Sequence, residues 1–180
     1  MDAVKQALRI EPAQPYDWPV LRSVVQAVVS ARQTYTYNPA FTDAELRAIW
    51  MAPEKRVYKA LFNGEVAGTF YIRPNYGAGP AGHIANAGFM VGISARGRGV
   101  GRLMGEFALR EARRLGYEAM VFNFVVGANV AAIGLWESLG FRIIGTVPDA
   151  YDHTDGHRVP AHIMHRTLMD IPLNQPEDPQ

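Results

Sequence analysis

A basic, glycine-rich segment lies between an apolar run and a helical pattern, and its residue types suit the binding of an anion. The segment reads Arg96-Gly97-Arg98-Gly99-Val100-Gly101-Arg102. Glycines at alternate positions clear the side chains from one wall of a turn, so backbone N–H groups can converge on an oxyanion at the start of a helix. The three arginines add positive charge, and the expected ligand is a phosphate or pyrophosphate.

Two familiar phosphate-binding loops do not fit this segment. The P-loop of nucleotide triphosphatases ends in Gly-Lys-Ser/Thr, a tripeptide that the sequence lacks. The dinucleotide fingerprint needs a third glycine, but Arg102 or Met104 stands at that position, depending on the register chosen. The segment is therefore a phosphate loop of another kind.

A second motif lies downstream, in the residues Asn129-Val130-Ala131-Ala132-Ile133-Gly134-Leu135-Trp136-Glu137-Ser138-Leu139-Gly140-Phe141. It is similar to the Asn-x-x-Ala-x-x-x-Tyr-x-x-x-Gly-Phe segment of the GCN5-related N-acetyltransferases (GNAT superfamily). The Arg-x-x-Gly-x-Gly pattern of Arg96, Gly99 and Gly101 resembles the coenzyme A signature of the same superfamily. Order and spacing of the two motifs also agree, and the resemblance covers roughly residues 82 to 146.

The resemblance implies a GNAT fold of α/β class, in which a mixed, mostly antiparallel central sheet is flanked by helices. It implies acetyl-CoA as the acetyl donor and no metal. The cofactor residues that it implies are Arg96, Gly97, Arg98, Gly99, Val100, Gly101 and Arg102 around the pyrophosphate, Met90, Val91 and Ile93 along the pantetheine arm, and Asn129 and Trp136 nearby. The pantetheine would pair with the backbone as an added strand does.

Trp136 departs from the family pattern, because it occupies the place of the usual tyrosine. Acetyl transfer needs a neutral amine beside a thioester, a donor for the developing oxyanion, and a proton for the leaving thiolate. An indole N–H donates a hydrogen bond but cannot give up its proton at a useful pH. Trp136 is thus either a hydrogen-bond donor near the sulfur or a core aromatic residue.

Three asparagines are candidate catalytic residues together with Trp136. Asn86 alternates with small and apolar residues along a predicted strand, Asn123 stands in the middle of another, and Asn129 opens a helix. An amide in an apolar strand needs a hydrogen-bond partner. The alternatives are a plain N-cap for Asn129 and structural amides for Asn86 and Asn123.

A narrower resemblance joins these asparagines to the glycine-rich segment. Together they look like the fungal azetidine-2-carboxylate (proline-analogue) N-acetyltransferases, which implies substrate and catalytic roles for Asn86, Asn123 and Asn129. The expected function is acetyl-CoA-dependent acetylation of a small amine, in particular a proline-like amino acid. The alternatives are a protein or peptide acetyltransferase and an acyl-CoA-binding module without turnover.

Composition narrows the class of protein further. The chain has 180 residues, 48% of them apolar and 19% charged, with a net charge of +1 and no cysteine. We expect one domain over residues 1–170 with a disordered tail over 171–180, in the cytoplasm, with no nucleic-acid or membrane partner. A homodimer is left open. The histidines and aspartates between Asp152 and His165 predict a solvated loop and strand rather than a metal site.

The elements that must position these residues follow from periodicity and turn signals. Asp17 is a candidate N-cap, Thr42 to Glu45 is a capping box, and Asn63-Gly64 predicts a type I′ hairpin. Tyr35, Tyr37 and Tyr151 are candidates for a pocket wall. Helices are predicted from Asp17, over 42–50, after the glycine turn and over 129–139, and strands over 55–62, 65–73, 83–93, 118–125, 141–147 and 159–168.

Overall fold

A computed structural model describes residues 8–173. Its strands are β1 (Leu8–Pro12), β2 (Arg56–Phe62), β3 (Glu65–Pro74), β4 (Ile84–Val91), β5 (Ala119–Val126), β6 (Arg142–Asp152) and β7 (Arg158–Thr167). Its α-helices are α1 (Trp18–Ser30), α2 (Asp43–Trp50), α3 (Val100–Arg114) and α4 (Val130–Ser138). The predicted α/β class is confirmed.

All seven strands form one sheet in the order β1-β2-β3-β4-β5-β7-β6. Neighbouring strands are antiparallel except β4 and β5, which run parallel. The parallel pair is short, because only Ile84 with Ala119 and Ala85 with Met120 are in register. Beyond these two pairs the strands separate, so the sheet opens at its centre.

Helices cover both faces of the sheet, as the alternation of side chains along the strands requires. Adjacent residues of β3 show the two layers. Phe70 belongs to the core beneath α3 and α4, which also holds Met104 and Trp136. Tyr71 belongs to the core beneath α1 and α2, with Leu21 and Trp50.

Several local predictions are confirmed. Thr42 accepts a hydrogen bond from the Glu45 backbone, and the Glu45 side chain accepts one in return, which completes the capping box of α2. Asn63 and Gly64 have φ values of 53° and 86°, as a type I′ turn requires. Gly116, at φ 92°, ends α3, and the Tyr117 N–H bonds the Ala112 carbonyl across it.

Other expectations need correction. Strand β1 was not predicted, since its five residues end in a proline, but it pairs with β2 along its whole length. It also ended β6 at Val147, whereas the strand continues to Asp152 through an irregular register. The Asp17 carboxylate does not cap α1, because it accepts hydrogen bonds from the Gln14 backbone and the Lys59 ammonium.

The expected tail begins inside the described part of the chain. Ile171 packs against the core, and its N–H bonds the Leu168 carbonyl. Residues 174–180 of the expected tail lie outside the described residues. Within residues 8–173, no helix is long and apolar enough to cross a membrane.

Candidate active site

Asn86 marks the point where β4 and β5 separate. It lies one residue beyond the last parallel pair, and its Nδ2 donates to the Val121 carbonyl oxygen at 2.9 Å. Its side chain therefore spans the beginning of the gap between the strands. No further pair of β4 and β5 residues follows among those described, and this opening is the centre of the site.

The backbone of β4 presents alternate residues to the opening. Gly92 donates to Ala67 on the β3 side, and the antiparallel register then places Met90 in a hydrogen-bonded pair with Thr69. The N–H and C=O groups of the intervening residues, Phe89 and Val91, consequently point away from β3 and toward the gap. An amide-bearing chain could lie along this edge as an added strand.

This alternation corrects the expected role of Met90. The backbone polar groups of Met90 belong to the β3 ladder, and its side chain is buried beneath α1. Met90 is therefore turned away from the gap, while Val91 has the expected orientation. Ile93 lies beyond the strand, in a short 3₁₀ turn over Ile93–Ala95, with its side chain exposed.

The glycine turn leads into the N-terminus of α3. Gly97 and Gly99 have φ values of 73° and 81°, a region that other residues rarely adopt. Gly99 is the N-cap residue, no side chain among residues 8–173 caps the helix, and the first turn contains no acidic residue. Val100 is buried and anchors the helix to the core. The N–H groups of the first turn are therefore left without a side-chain cap and suit the binding of an anion.

The three arginines of the turn differ in their contacts. Arg102 donates to the Ser138 hydroxyl at 2.8 Å and pairs with Glu106 at 3.5 Å. Arg98 lies over the Phe62 ring, 5.5 Å from its centroid. Arg96 is exposed in front of the turn. Gly101, already within α3, lies close to Leu135 and Val91, so the turn also contacts α4 and β4.

Trp136 is a core residue that also lines the opening. Its ring packs against Phe89 and Phe122, with centroids 4.8 and 4.9 Å apart, and is 8% exposed. Gly105 of α3 makes room for it, because a Cβ there would meet the indole at 3.1 Å. The aromatic-core interpretation of Trp136 therefore holds, and one edge of the ring still reaches the cavity.

A cavity of about 440 Å³ continues from the gap toward α1 and α2. Its floor contains β4 and β5 residues, and its far wall is the segment between α1 and α2. The three asparagines line it together with Trp136 and with Tyr35 and Tyr37, so the structure brings these predicted residues together. Burial raises the pKa of both tyrosines, which therefore stay protonated.

Two tyrosine hydroxyls hold the segment between α1 and α2 over the cavity. Tyr35 donates to the Phe89 carbonyl oxygen of β4 at 3.1 Å. Tyr151 of β6 donates to the Tyr35 carbonyl oxygen, also at 3.1 Å. Tyr151 thus supports the wall from behind rather than lining the cavity.

The asparagines have different partners. Asn129 is the N-cap of α4, with its Oδ1 accepting from the Ala132 N–H at 3.2 Å, as the N-cap alternative predicted. Asn123 is exposed at a register shift of β5, not buried among apolar residues as expected, and exchanges two hydrogen bonds with Asn75 at 2.6 and 3.2 Å. Both polar atoms of the Asn86 side chain are hydrogen-bonded, because its oxygen also accepts from Arg73 Nε at 3.2 Å.

The two cationic residues that line the cavity, Lys55 and Arg73, were not predicted from the sequence. Each stands at the end of a strand, where a single charge usually faces solvent. Lys55 instead donates to the Ile49 carbonyl oxygen at 2.6 Å and lies 4.2 Å from the centroid of the Tyr71 ring. Burial and the nearby Arg73 charge lower the pKa of Lys55 to about 8.

The candidate metal ligands do not assemble. Within residues 8–173, no three His, Asp or Glu side chains come together in a way that could hold an ion. His162 is hydrogen-bonded with Thr146 at 2.9 Å, and Asp152 pairs with Arg158 at 3.0 Å. These side chains belong to strands β6 and β7 and the turn between them.

Comparison with known proteins identifies the family. The sequence profile of the "Acetyltransferase (GNAT) family" matches residues 24–141, and the chain belongs to this family. The predicted GNAT fold and the membership of an acetyltransferase family are thereby confirmed.

Individual relatives agree with this assignment. N-acetyltransferase aca1 of Schizosaccharomyces pombe is 39% identical over 99 residues, which are 55% of this chain and 47% of that protein. The chain therefore spans about half the length of this fungal relative. A GCN5-related N-acetyltransferase from Kribbella flavida superposes with a TM-score of 0.85 at 43% identity, covering 89% of this chain and 98% of that one.

A more distant structure contains the donor. YncA from Salmonella typhimurium, solved with its cofactor acetyl-CoA, has a TM-score of 0.79 at 21% identity and covers 97% of this chain and 98% of its own. At this level of identity, the likeness shows that the two proteins share a fold.

Proposed function

We propose that this protein transfers the acetyl group of acetyl-CoA to the amine of a small amino acid, with proline-like compounds such as azetidine-2-carboxylate as the first candidates. The observation that carries the proposal is the cavity of about 440 Å³, which joins the open edge of β4 to a wall held in place by Tyr35 and Tyr151. A cavity of this size accommodates a small molecule. A peptide or protein acceptor would need an open groove.

The donor would lie along the gap between β4 and β5. The glycine turn and the uncapped first turn of α3 fit a pyrophosphate, which would accept hydrogen bonds from backbone N–H groups. The N–H of Phe89, whose carbonyl already accepts from Tyr35, and the Val91 backbone groups fit the amides of the pantetheine arm. Acetyl-CoA supplies an activated thioester, and this arrangement directs its acetyl end toward Trp136 and the cavity.

The acceptor would approach from the cavity side. Its amine must be neutral to attack the thioester carbon, and the amine proton can pass to an ordered water, so no carboxylate base is required. A backbone N–H of β4 that faces the gap would donate to the carbonyl oxygen as negative charge develops on it. Attack forms the new amide bond, breaks the carbon–sulfur bond and leaves a thiolate that takes up a proton.

Asn123 and Asn129 support these steps without titrating. Asn123 lies where β5 bulges beside the cavity, and its pairing with Asn75 fixes the amide plane. Asn129 uses only its oxygen as N-cap, so its Nδ2 is a further donor on the cavity side. A neutral amide can orient a polar acceptor without holding its amine in the unreactive ammonium form.

A thiol-release assay with a panel of acceptors tests the proposal. The panel contains azetidine-2-carboxylate, proline, other amino acids, a polyamine and a peptide, each with acetyl-CoA. We expect release with small amino acids and little with the polyamine or peptide. Turnover of peptides alone would support the protein acetyltransferase alternative, and acetyl-CoA binding without any release would support the binding module. Cytoplasmic location and a homodimer stay predictions.

A further inference from the structure

We propose that Arg73 and Lys55 form a carboxylate-binding subsite for the acceptor and that Asn86 is a positioning residue that holds Arg73 in it. The inference rests on the proposed function, since it concerns the acceptor cavity. It adds the residues that recognise the acid group of the substrate. It also gives Asn86 a role other than direct catalysis.

The charge of the cavity carries the inference. Among the described residues that line it, two side chains are cationic, Lys55 and Arg73, and none is acidic. The remaining polar groups are neutral tyrosines, threonines and asparagines. Neither cation forms an ion pair within residues 8–173. The acidic residue nearest along the chain, Glu54, is exposed beside Lys55 and acts on it only through its field.

Burial lowers the pKa of Lys55, and repulsion by the Arg73 charge in the same partly buried space lowers it further. Such an arrangement is stable only when other groups hold it. The Ile49 carbonyl and the Tyr71 ring hold Lys55, and the Asn86 oxygen holds Arg73. An anionic ligand would supply the missing counter-charge.

The geometry of Arg73 suits a carboxylate. Its Nε donates to Asn86 and its guanidinium also interacts with the Tyr71 side chain, so only neutral groups hold it and its charge is left for a carboxylate to compensate. Asn86 is 6% exposed and is itself held by the Val121 carbonyl. Asn86 therefore fixes the orientation of Arg73. It does so where β4 and β5 separate, close to the predicted position of the acetyl group.

Calorimetry on the CoA-loaded protein tests the subsite without turnover. The probes are L-azetidine-2-carboxylate and its carboxamide, which share the ring and the amine but differ in charge. We expect the carboxylate to bind about 10- to 100-fold more tightly than the carboxamide, as charge-assisted hydrogen bonds do. In Arg73→Gln and Lys55→Gln this preference should shrink by at least about tenfold, with binding of the carboxamide and of CoA unchanged.

Two further variants complete the experiment. Arg142→Gln removes an exposed cation of β6 and serves as the matched control, which should keep the full preference. Asn86→Asp should lower the preference, because an aspartate would pair with Arg73 and neutralise it. Equal binding of the two probes by the unmodified protein would overturn the inference, and so would a preference that survives in Arg73→Gln. Failure of the proposed function would instead appear as absence of thiol release in the turnover assay.

Discussion

The amide nitrogen of Asn86 donates to the carbonyl oxygen of Val121 across the first step of the gap between β4 and β5, at 2.9 Å. One residue earlier the two strands are still in parallel register. The side chain thus replaces a backbone hydrogen bond at the place where the ladder ends, while its oxygen holds Arg73. One buried amide connects the gap between the strands with a cation of the cavity.

Gly99→Ala should weaken acetyl-CoA binding by at least about tenfold, because alanine is strained at a φ of 81° and the turn must change shape. Gly64→Ala is the matched control. It carries similar strain at φ 86° in the hairpin between β2 and β3, and a Cβ at either position would meet nothing within 4 Å. Calorimetry should show loss of affinity in the first variant alone, although thermal unfolding should show both destabilised. Unchanged affinity in folded Gly99→Ala would contradict the phosphate-binding role.

Arg96→Gln should weaken CoA binding by about 1–3 kcal/mol, since Arg96 is exposed at the turn and available to a phosphate. Arg102→Gln should have a smaller effect, because Ser138 and Glu106 already engage that side chain. Neither change should affect acetyl-pantetheine, which lacks the phosphates. Arg110→Gln, farther along α3, is the control. Equal losses for both ligands would mean that these arginines support the fold.

Trp136→Ala should lower the free energy of unfolding by about 3–5 kcal/mol, because it empties the centre of an aromatic cluster. Trp136→Tyr and Trp136→Phe keep most of the packing and should both retain turnover. Comparing the two in steady-state kinetics isolates the hydrogen-bonding group. A large fall in kcat for folded Trp136→Phe, with Trp136→Tyr active, would show that the polar atom matters at the sulfur.

Binding of a carboxylate should weaken as the pH rises through about 8, because Lys55 loses its proton there. Cyclobutanecarboxylate is a suitable probe, since it has no amine and stays ionised throughout. Lys55→Arg should move the decline to higher pH. A pH-independent affinity between 6.5 and 9.5, roughly the range over which such a lysine titrates, would contradict a charge role for Lys55.

The same pKa has a consequence for stability. The pKa of Lys55 is lower in the folded protein than in the unfolded chain, so between about 8 and its ordinary value the unfolded state binds more protons. The contribution of Lys55 to the free energy of unfolding should therefore rise with pH across this window. Thermal unfolding of the ligand-free protein and of Lys55→Gln should diverge below the window and converge above it.

Asn123→Ala should reduce turnover while acetyl-CoA affinity stays nearly intact. Asn75→Ala tests whether the cause is loss of the amide or loss of its orientation, because the two residues exchange two hydrogen bonds. If orientation matters, the effects of the single changes should not add in the double variant. Full activity of Asn123→Ala would remove this residue from the proposed mechanism.

The family and most of the elements were predictable from the sequence alone, because they depend on local signals. The positive φ values at Gly97 and Gly99 favour glycine. The capping box of Thr42 satisfies backbone N–H donors within the first turn of α2. Such features involve neighbours along the chain. β1 escaped prediction because its pairing with β2 joins distant segments, and five residues ending in proline give little local signal.

The arrangement of charged and polar residues around the cavity depends on the tertiary structure. Lys55, Arg73 and Asn86 come from three separate segments, and only the sheet register and the packing of α2 place them around one cavity. The same holds for Met90, whose orientation depends on which edge of β4 pairs with β3. Side-chain type tells what a residue can donate or accept, whereas partners and burial arise from contacts distant in sequence. The glycine turn therefore predicted a phosphate site from the sequence, whereas the charge of the cavity became visible only in the fold.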